Sequence, residues 1–215
     1  LEKINMKIFV PIKENSQRVK NKNFREINSE TLYERLIQKF SNYEIYIDTD
    51  SERVFQETLV YDNVTPYYRD KNLIGDEVSV CDLISNFIEK FNISGNVCQL
   101  HVTSPFIQAK TIDNATMILN NGYDSIVSCN TIQSRFWKKE EYGYCPVNHN
   151  PIKLEQTQDL PELYEENSCF YMFNAENFLK TNNRIGKNPF FYDVSFPENI
   201  DIDTEKDWKL VEELS

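Results

Sequence analysis

Met6-Lys7-Ile8-Phe9-Val10-Pro11-Ile12 is an apolar run with the length of a buried strand, and the segments that follow it decide the fold. Glu44–Thr49 and residues 98–103 and 125–129 are runs of the same kind, and helical patterns lie between them. Leu32, Leu36 and Phe40 share one face of a helix expected over 31–40. Val80, Leu83, Ile84, Phe87, Ile88 and Phe91 follow the i, i+3, i+4 rule closely. A third helix is expected over 111–121, with Thr111 as N-cap and Gly122 just past its end. The order β-α-β-α-β-α-β predicts a three-layer α/β/α domain around a mostly parallel central sheet.

Further along, Pro146, Asn148, Asn150, Pro151 and Pro161 interrupt any period. Residues 131–168 therefore read as an excursion from the sheet, with a long surface loop as the plain alternative. Regular structure returns over 169–173. An amphipathic helix carrying Trp208, Leu210, Val211 and Leu214 is expected over 204–214. The whole, 1–215, is expected to be one domain.

Composition narrows the function. The 215 residues hold 34 acidic and 23 basic side chains, a net charge of -11, which repels a phosphate backbone and argues against nucleic acid as a partner. No apolar run approaches the roughly 18 residues of a membrane span, and no secretory signal opens the chain, so a cytoplasmic protein is expected. The residues before Met6 read as a leader remnant or an alternative start. The five cysteines are odd in number and contain no Cys-x-x-Cys pair, which predicts reduced, mostly buried thiols rather than disulfides or a zinc site.

One stretch runs against the acidic balance. Lys13, Arg18, Lys20, Lys22 and Arg25 follow the first strand within thirteen residues. Open α/β sheets bind ligands in the crevice outside the carboxyl ends of their strands, and a polyphosphate needs both cationic heads and backbone N–H donors. On charge alone, a solvated basic loop is an equal reading.

Spacing adds to the case. The string Val10-Pro11-Ile12-Lys13-Glu14-Asn15-Ser16-Gln17-Arg18-Val19-Lys20-Asn21-Lys22-Asn23 resembles the nucleotide-binding loop of the CMP-sialic acid and CMP-Kdo synthetases. The resemblance implies that Lys13, Ser16, Arg18, Lys22 and Asn23 bind the phosphates and ribose of CTP. The loop departs from many relatives in having no glycine. Ile45 to Asp50 resembles the family's second strand and its end, although Asp48 and Asp50 read more simply as helix-capping carboxylates ahead of Ser51. Arg69 through Asp76 resembles the segment whose arginine approaches the nucleotide, so Arg69 and Asp76 join the CTP-binding set.

Leu100-His101-Val102-Thr103-Ser104-Pro105 resembles the family's Leu-Gln-Pro-Thr-Ser-Pro, with His101 standing where relatives carry a sugar-contacting glutamine. His101, Thr103 and Ser104 are thereby implied at the sugar, as are Lys138, Tyr171, Phe190 and Phe191. Plain core packing is the competing reading for the aromatic pair, and a surface position for Lys138. Arginines that relatives place between Gln156 and Glu165 are absent, Glu165 standing in for one.

Ile200-Asp201-Ile202-Asp203-Thr204 resembles the family's Ile-Asp-Ile-Asp-Thr. Carboxylates at i and i+2 on an extended segment point the same way, so Asp201 and Asp203 can approach one divalent cation, which the family makes Mg2+. Thr204 with Asp207 also makes a helix-start signal.

The resemblance implies a nucleotidyltransferase that couples CTP to an acidic 2-keto-3-deoxy sugar, releasing pyrophosphate. Lys22, Arg18 and Asp203 would be catalytic, Asp203 as base, and the excursion over 131–168 would serve sugar contact and homodimerisation. The alternatives are a catalytically silent nucleotide-binding relative and a metal-dependent glycosyltransferase.

Overall fold

The computed structural model describes residues 6–16 and 19–215. In chain order the elements are β1 (Met6–Ile12), β2 (Glu26–Ile27), β3 (Glu30–Thr31), α1 (Leu32–Lys39), β4 (Glu44–Thr49), α2 (Glu52–Thr58), β5 (Val64–Tyr68), α3 (Val80–Phe91), β6 (Asn96–Leu100), α4 (Ala109–Leu119), β7 (Ser125–Ile132), β8 (Trp137–Glu140), β9 (Gly143–Pro146), β10 (Leu163–Asn174), α5 (Ala175–Thr181), β11 (Pro189–Asp193) and α6 (Glu205–Leu214). Seven strands form one sheet in the order β11-β7-β10-β6-β1-β4-β5. Only β10 runs against its neighbours; every other pairing in this sheet is parallel.

Both faces of the sheet are covered, which is why β1 reads as a continuous apolar run rather than an alternating one. Ile8, Val10 and Ile12 point to one face and pack with Leu36 and Ile37 of α1, Ile112 and Ala115 of α4 and Trp208 and Val211 of α6. Phe9 points to the other face and packs with Ile84, Phe87 and Ile88 of α3 and Phe178 of α5. The expected α/β/α layering is therefore present. Three helix starts carry reciprocal capping boxes, Thr31 with Glu34, Ser79 with Asp82 and Thr204 with Asp207, each box worth about 1 kcal/mol.

The helix after β6 differs from expectation. It begins at Ala109, and Thr111 lies inside it rather than at its N-cap. The first turn is held instead by Glu198, whose Oε2 accepts from the Gln108 amide at 2.9 Å and the Thr111 hydroxyl at 2.6 Å. A carboxylate from a distant segment thus satisfies donors that the local sequence leaves open.

Two strands carry a weak sequence signal, and both lie at the sheet edges. β5 contains Pro66 and β11 begins with Pro189, as edge strands tolerate because one side needs no ladder donor. The excursion proves shorter than expected: β10 already begins at Leu163, leaving an exposed hairpin of β8 and β9 and an irregular segment behind it. Cys98, Cys129 and Cys169 are buried, Cys145 is exposed, and all five cysteines are free thiols. Among the described residues no helix is long and apolar enough to cross a membrane.

Candidate functional site

The strand order reverses beside β1: β4 and β5 succeed it on one side, while β6 lies on the other. The loops leaving β1 and β6 must therefore diverge, and the gap between them is where a doubly wound sheet binds its ligand. A cleft of about 400 Å³ opens there, lined by Lys13, Ser16, Lys22, Asn23, Arg69 and His101 among others, within the usual size range of small-molecule sites.

The loop after β1 is shaped by its asparagines. Asn21 adopts a left-handed conformation, φ 56° and ψ 27°, which asparagine tolerates better than most side chains. Its carbonyl accepts from Phe24 and Arg25 at 2.9 and 3.1 Å. Asn21 therefore makes the tight turn that a glycine would otherwise make. Asn23 is buried and its Nδ2 donates to the Lys13 carbonyl at 2.8 Å, closing the loop on itself. Lys13 pairs with Asp76 at 3.3 Å across the mouth of the cleft.

Lys22 reaches the far wall. Its Nζ donates to the Ile202 carbonyl at 2.5 Å, and the Ile202 amide donates to the Thr103 carbonyl at 2.9 Å. The segment carrying Asp201 and Asp203 is thereby pinned between the basic loop and the end of β6. Asp203 lies close enough to act electrostatically on His101. Burial first, then the cations of Arg184 and Lys22, push His101 down to about 4, with Asp203 opposing; the ring is neutral near pH 7.

Asp48 and Asp50 are not caps, which corrects the sequence reading: the Ser51 hydroxyl accepts from the Val54 amide and caps α2 alone. Asp48 is fully buried and paired with the equally buried Arg69, so Arg69 meets the cleft with its guanidinium already held. Burial pushes the Asp48 carboxyl up and Arg69 pulls it back down. Asp50 instead accepts from the Glu14 amide at 2.6 Å, steadying the loop after β1.

Among the remaining expected residues, Arg18 lies outside the described residues. Thr103 lines the cleft, whereas Ser104 is 2 % exposed and sits behind it, its amide donating to the His101 carbonyl at 3.2 Å. Phe190 and Phe191 are neighbours on β11 and so point to opposite faces. Phe190 packs into the core beside Tyr123, which corrects its reading as one of two sugar-facing rings. Phe191 stacks on Tyr164 and shares the face of Tyr171 through the registers with Val127. Lys138 is exposed on β8, paired with Glu140 at 3.2 Å, outside the residues that line this cleft.

Two residues of the site escape the sequence reading. Gln99 is a fully buried amide within β6, and Arg184 comes from the irregular segment between α5 and β11. Arg184 Nη1 donates to Gln99 Oε1 at 2.8 Å, and its guanidinium lies 3.5 Å from the Tyr171 ring centre. A polar side chain inside a strand read as buried is itself a signal, because it must find partners. Arg184 carries no local signal at all.

The cleft offers the cations of Lys13, Lys22 and Arg69 and a neutral imidazole, an arrangement suited to a polyphosphate, and Lys22 ties it to the segment that carries Asp201 and Asp203. The model of the family described as cytidylyltransferase matches residues 8–215. A CMP-N,N'-diacetyllegionaminic acid synthase of Legionella pneumophila (subsp. pneumophila, strain Philadelphia 1) is 29 % identical over 222 residues, covering 95 % of this chain and 94 % of that protein. N-acylneuraminate cytidylyltransferase A of Danio rerio is 26 % identical over 174 residues, 79 % of this chain and 40 % of that longer protein. In fold the chain is similar to a CMP:2-keto-3-deoxy-manno-octonic acid synthetase solved with CTP, at a TM-score of 0.66 and 15 % identity, covering 97 % of both chains.

Proposed function

Because this chain belongs to the cytidylyltransferase family, we propose that it joins CTP to an acidic, sialic acid-like 2-keto-3-deoxy sugar, giving the CMP-sugar and pyrophosphate. The observation that carries the reading is the bond from Lys22 to the Ile202 carbonyl, which brings the cationic loop against the paired aspartates at the switch point of the sheet. CTP is strongly anionic and the acceptor is itself a carboxylate, so the reaction needs charge neutralisation and in-line positioning more than covalent catalysis. Lys13, Ser16 and Asn23 would hold the triphosphate and ribose, with Arg69 fixed beside them. Lys22 and Arg18 would stabilise charge on the α-phosphate and the departing pyrophosphate. His101, Thr103 and Phe191 would face the sugar and Asp203 would take the proton of its anomeric hydroxyl, whereas Tyr171, expected at the sugar, is 1 % exposed and lies behind the Arg184 guanidinium.

The carboxylates also suit Mg2+. Asp201 and Asp203 flank a residue whose carbonyl and amide are both tied down. Among the described residues no group of three or more potential ligands is present, but magnesium commonly takes one or two protein carboxylates and completes its shell with water and phosphate oxygens. When bound, it would neutralise phosphate charge and polarise the α-phosphorus.

A second copy of the chain would complete the assembly. The excursion exposes Tyr142, Ile152 and Leu154 at 94 %, 95 % and 89 %, together with Trp137, Tyr144 and Val147, apolar surface that a second copy would cover. Lys138 follows Trp137 on β8 and so lies on the opposite side of the hairpin from Trp137 and Tyr144.

The test is pyrophosphate release with CTP and magnesium across sialic, legionaminic, pseudaminic and Kdo acceptors. Release with at least one of them supports the reading. CTP binding without release from any of them would instead favour a silent relative.

A further inference from the structure

Gln99 stands in a row that crosses the sheet in register: Tyr46, Phe9, Gln99, Tyr171, Val127 and Phe191. It is the one amide in that row and is 0 % exposed, so leaving either end unmade would cost about 1–3 kcal/mol. Both ends are made. Arg184 Nη1 lies 2.8 Å from Gln99 Oε1, and Gln99 Nε2 lies 2.6 Å from His101 Nε2.

These contacts have a direction. A guanidinium carries donors only, so the amide atom facing Arg184 must be the carbonyl oxygen. The other end is then the NH2 group, a donor, and His101 Nε2 must accept from it. A neutral imidazole that accepts at Nε2 carries its proton on Nδ1. Arg184 is itself held on the Tyr171 ring, whose hydroxyl donates to Glu166 Oε2 at 2.8 Å.

We propose that Arg184 and Gln99 are positioning residues that fix His101 as its Nδ1–H tautomer, so that the floor of the cleft presents a hydrogen-bond donor to an oxygen of the acceptor sugar. The use of that donor rests on the function proposed above; the tautomer does not. The cleft would favour an acceptor with a hydroxyl or carboxylate oxygen at this point over one presenting an N–H.

The experiment is a long-range 1H–15N correlation spectrum of the imidazole rings in the full chain without substrate. The chain has two histidines, His101 and His149, so H149Q assigns the signals by difference. The expected pattern is a protonated Nδ1 and an unprotonated Nε2 in wild type. Gln99→Glu, which can accept from both neighbours, should put a proton on Nε2, and Arg184→Met should mix the tautomers while Arg184→Lys restores them in part. With an accepted sugar, R184M should raise the acceptor KM about tenfold, the size of one hydrogen bond, and leave the KM for CTP unchanged. Nε2 protonated in wild type, or one unchanged tautomer in both wild type and Q99E, overturns the relay even if pyrophosphate is released. The expected tautomer in a chain that does not bind CTP by calorimetry upholds the relay and overturns the function.

Discussion

Lys22 Nζ donates to the Ile202 carbonyl at 2.5 Å, joining positions 180 residues apart. In the proposed reaction this ammonium would act on charge that develops during transfer. Lys22→Met should therefore lower the rate of pyrophosphate release by about 10²-fold or more, and Asp203→Asn should do the same, with far-UV circular dichroism unchanged in both. Release at the wild-type rate in either variant removes that residue from the chemistry.

Arg69 and Asp48 form a buried pair beneath the cleft, their side chains 1 % and 0 % exposed. Removing one member strands the other charge in a low-dielectric interior. Arg69→Met should cost about 3–5 kcal/mol in urea unfolding, and adding Asp48→Asn should recover part of that loss. A single variant as stable as wild type would mean that water reaches the pair.

Lys39 donates from Nζ to the Pro105 carbonyl at 2.6 Å, anchoring α1 to the turn that carries Thr103. Burial, then Arg35, hold its pKa down at about 8, against Glu198. The unfolded chain keeps the proton up to roughly 10.4, so the unfolded state binds more protons between about 8 and 10.4 and stability rises with pH across that window. Relative to Lys39→Met, the wild type should gain at most about 3 kcal/mol over it, and the difference should be flat below pH 7. Denaturant curves of both proteins at several pH values would show this.

The hairpin of β8 and β9 exposes Tyr142 and Tyr144 beside Trp137. If a second copy covers them, Tyr142→Asp combined with Tyr144→Asp should shift sedimentation from dimer to monomer at micromolar concentration. A wild-type chain that sediments as a monomer at high concentration rejects the dimer outright.

Much of this was legible in the residues. The runs at β1, β4 and β7 and the spacing in α3 report burial directly, because a covered parallel sheet leaves no room for polar alternation. Thr204 and Asp207 announce α6 through local capping chemistry. The edge strands were faint because Pro66 and Pro189 break the pattern, and Thr111 misled because the true cap, Glu198, comes from far along the chain. Asp48 resembled a cap for the same reason: its partner Arg69 is set by strand pairing, not by neighbours in sequence.

By itself, the sequence determined the layered α/β architecture, the family resemblance and the residue types of the basic loop and the aspartate pair, since periodicity, capping and spacing are local quantities. Only the tertiary structure decided that Lys22 meets Ile202, that Phe190 and Phe191 face apart and that Arg184 orients Gln99 against His101. Such contacts depend on strand order and on where an irregular segment returns to the sheet, and a buried polar group draws its partners from whatever the fold brings near it.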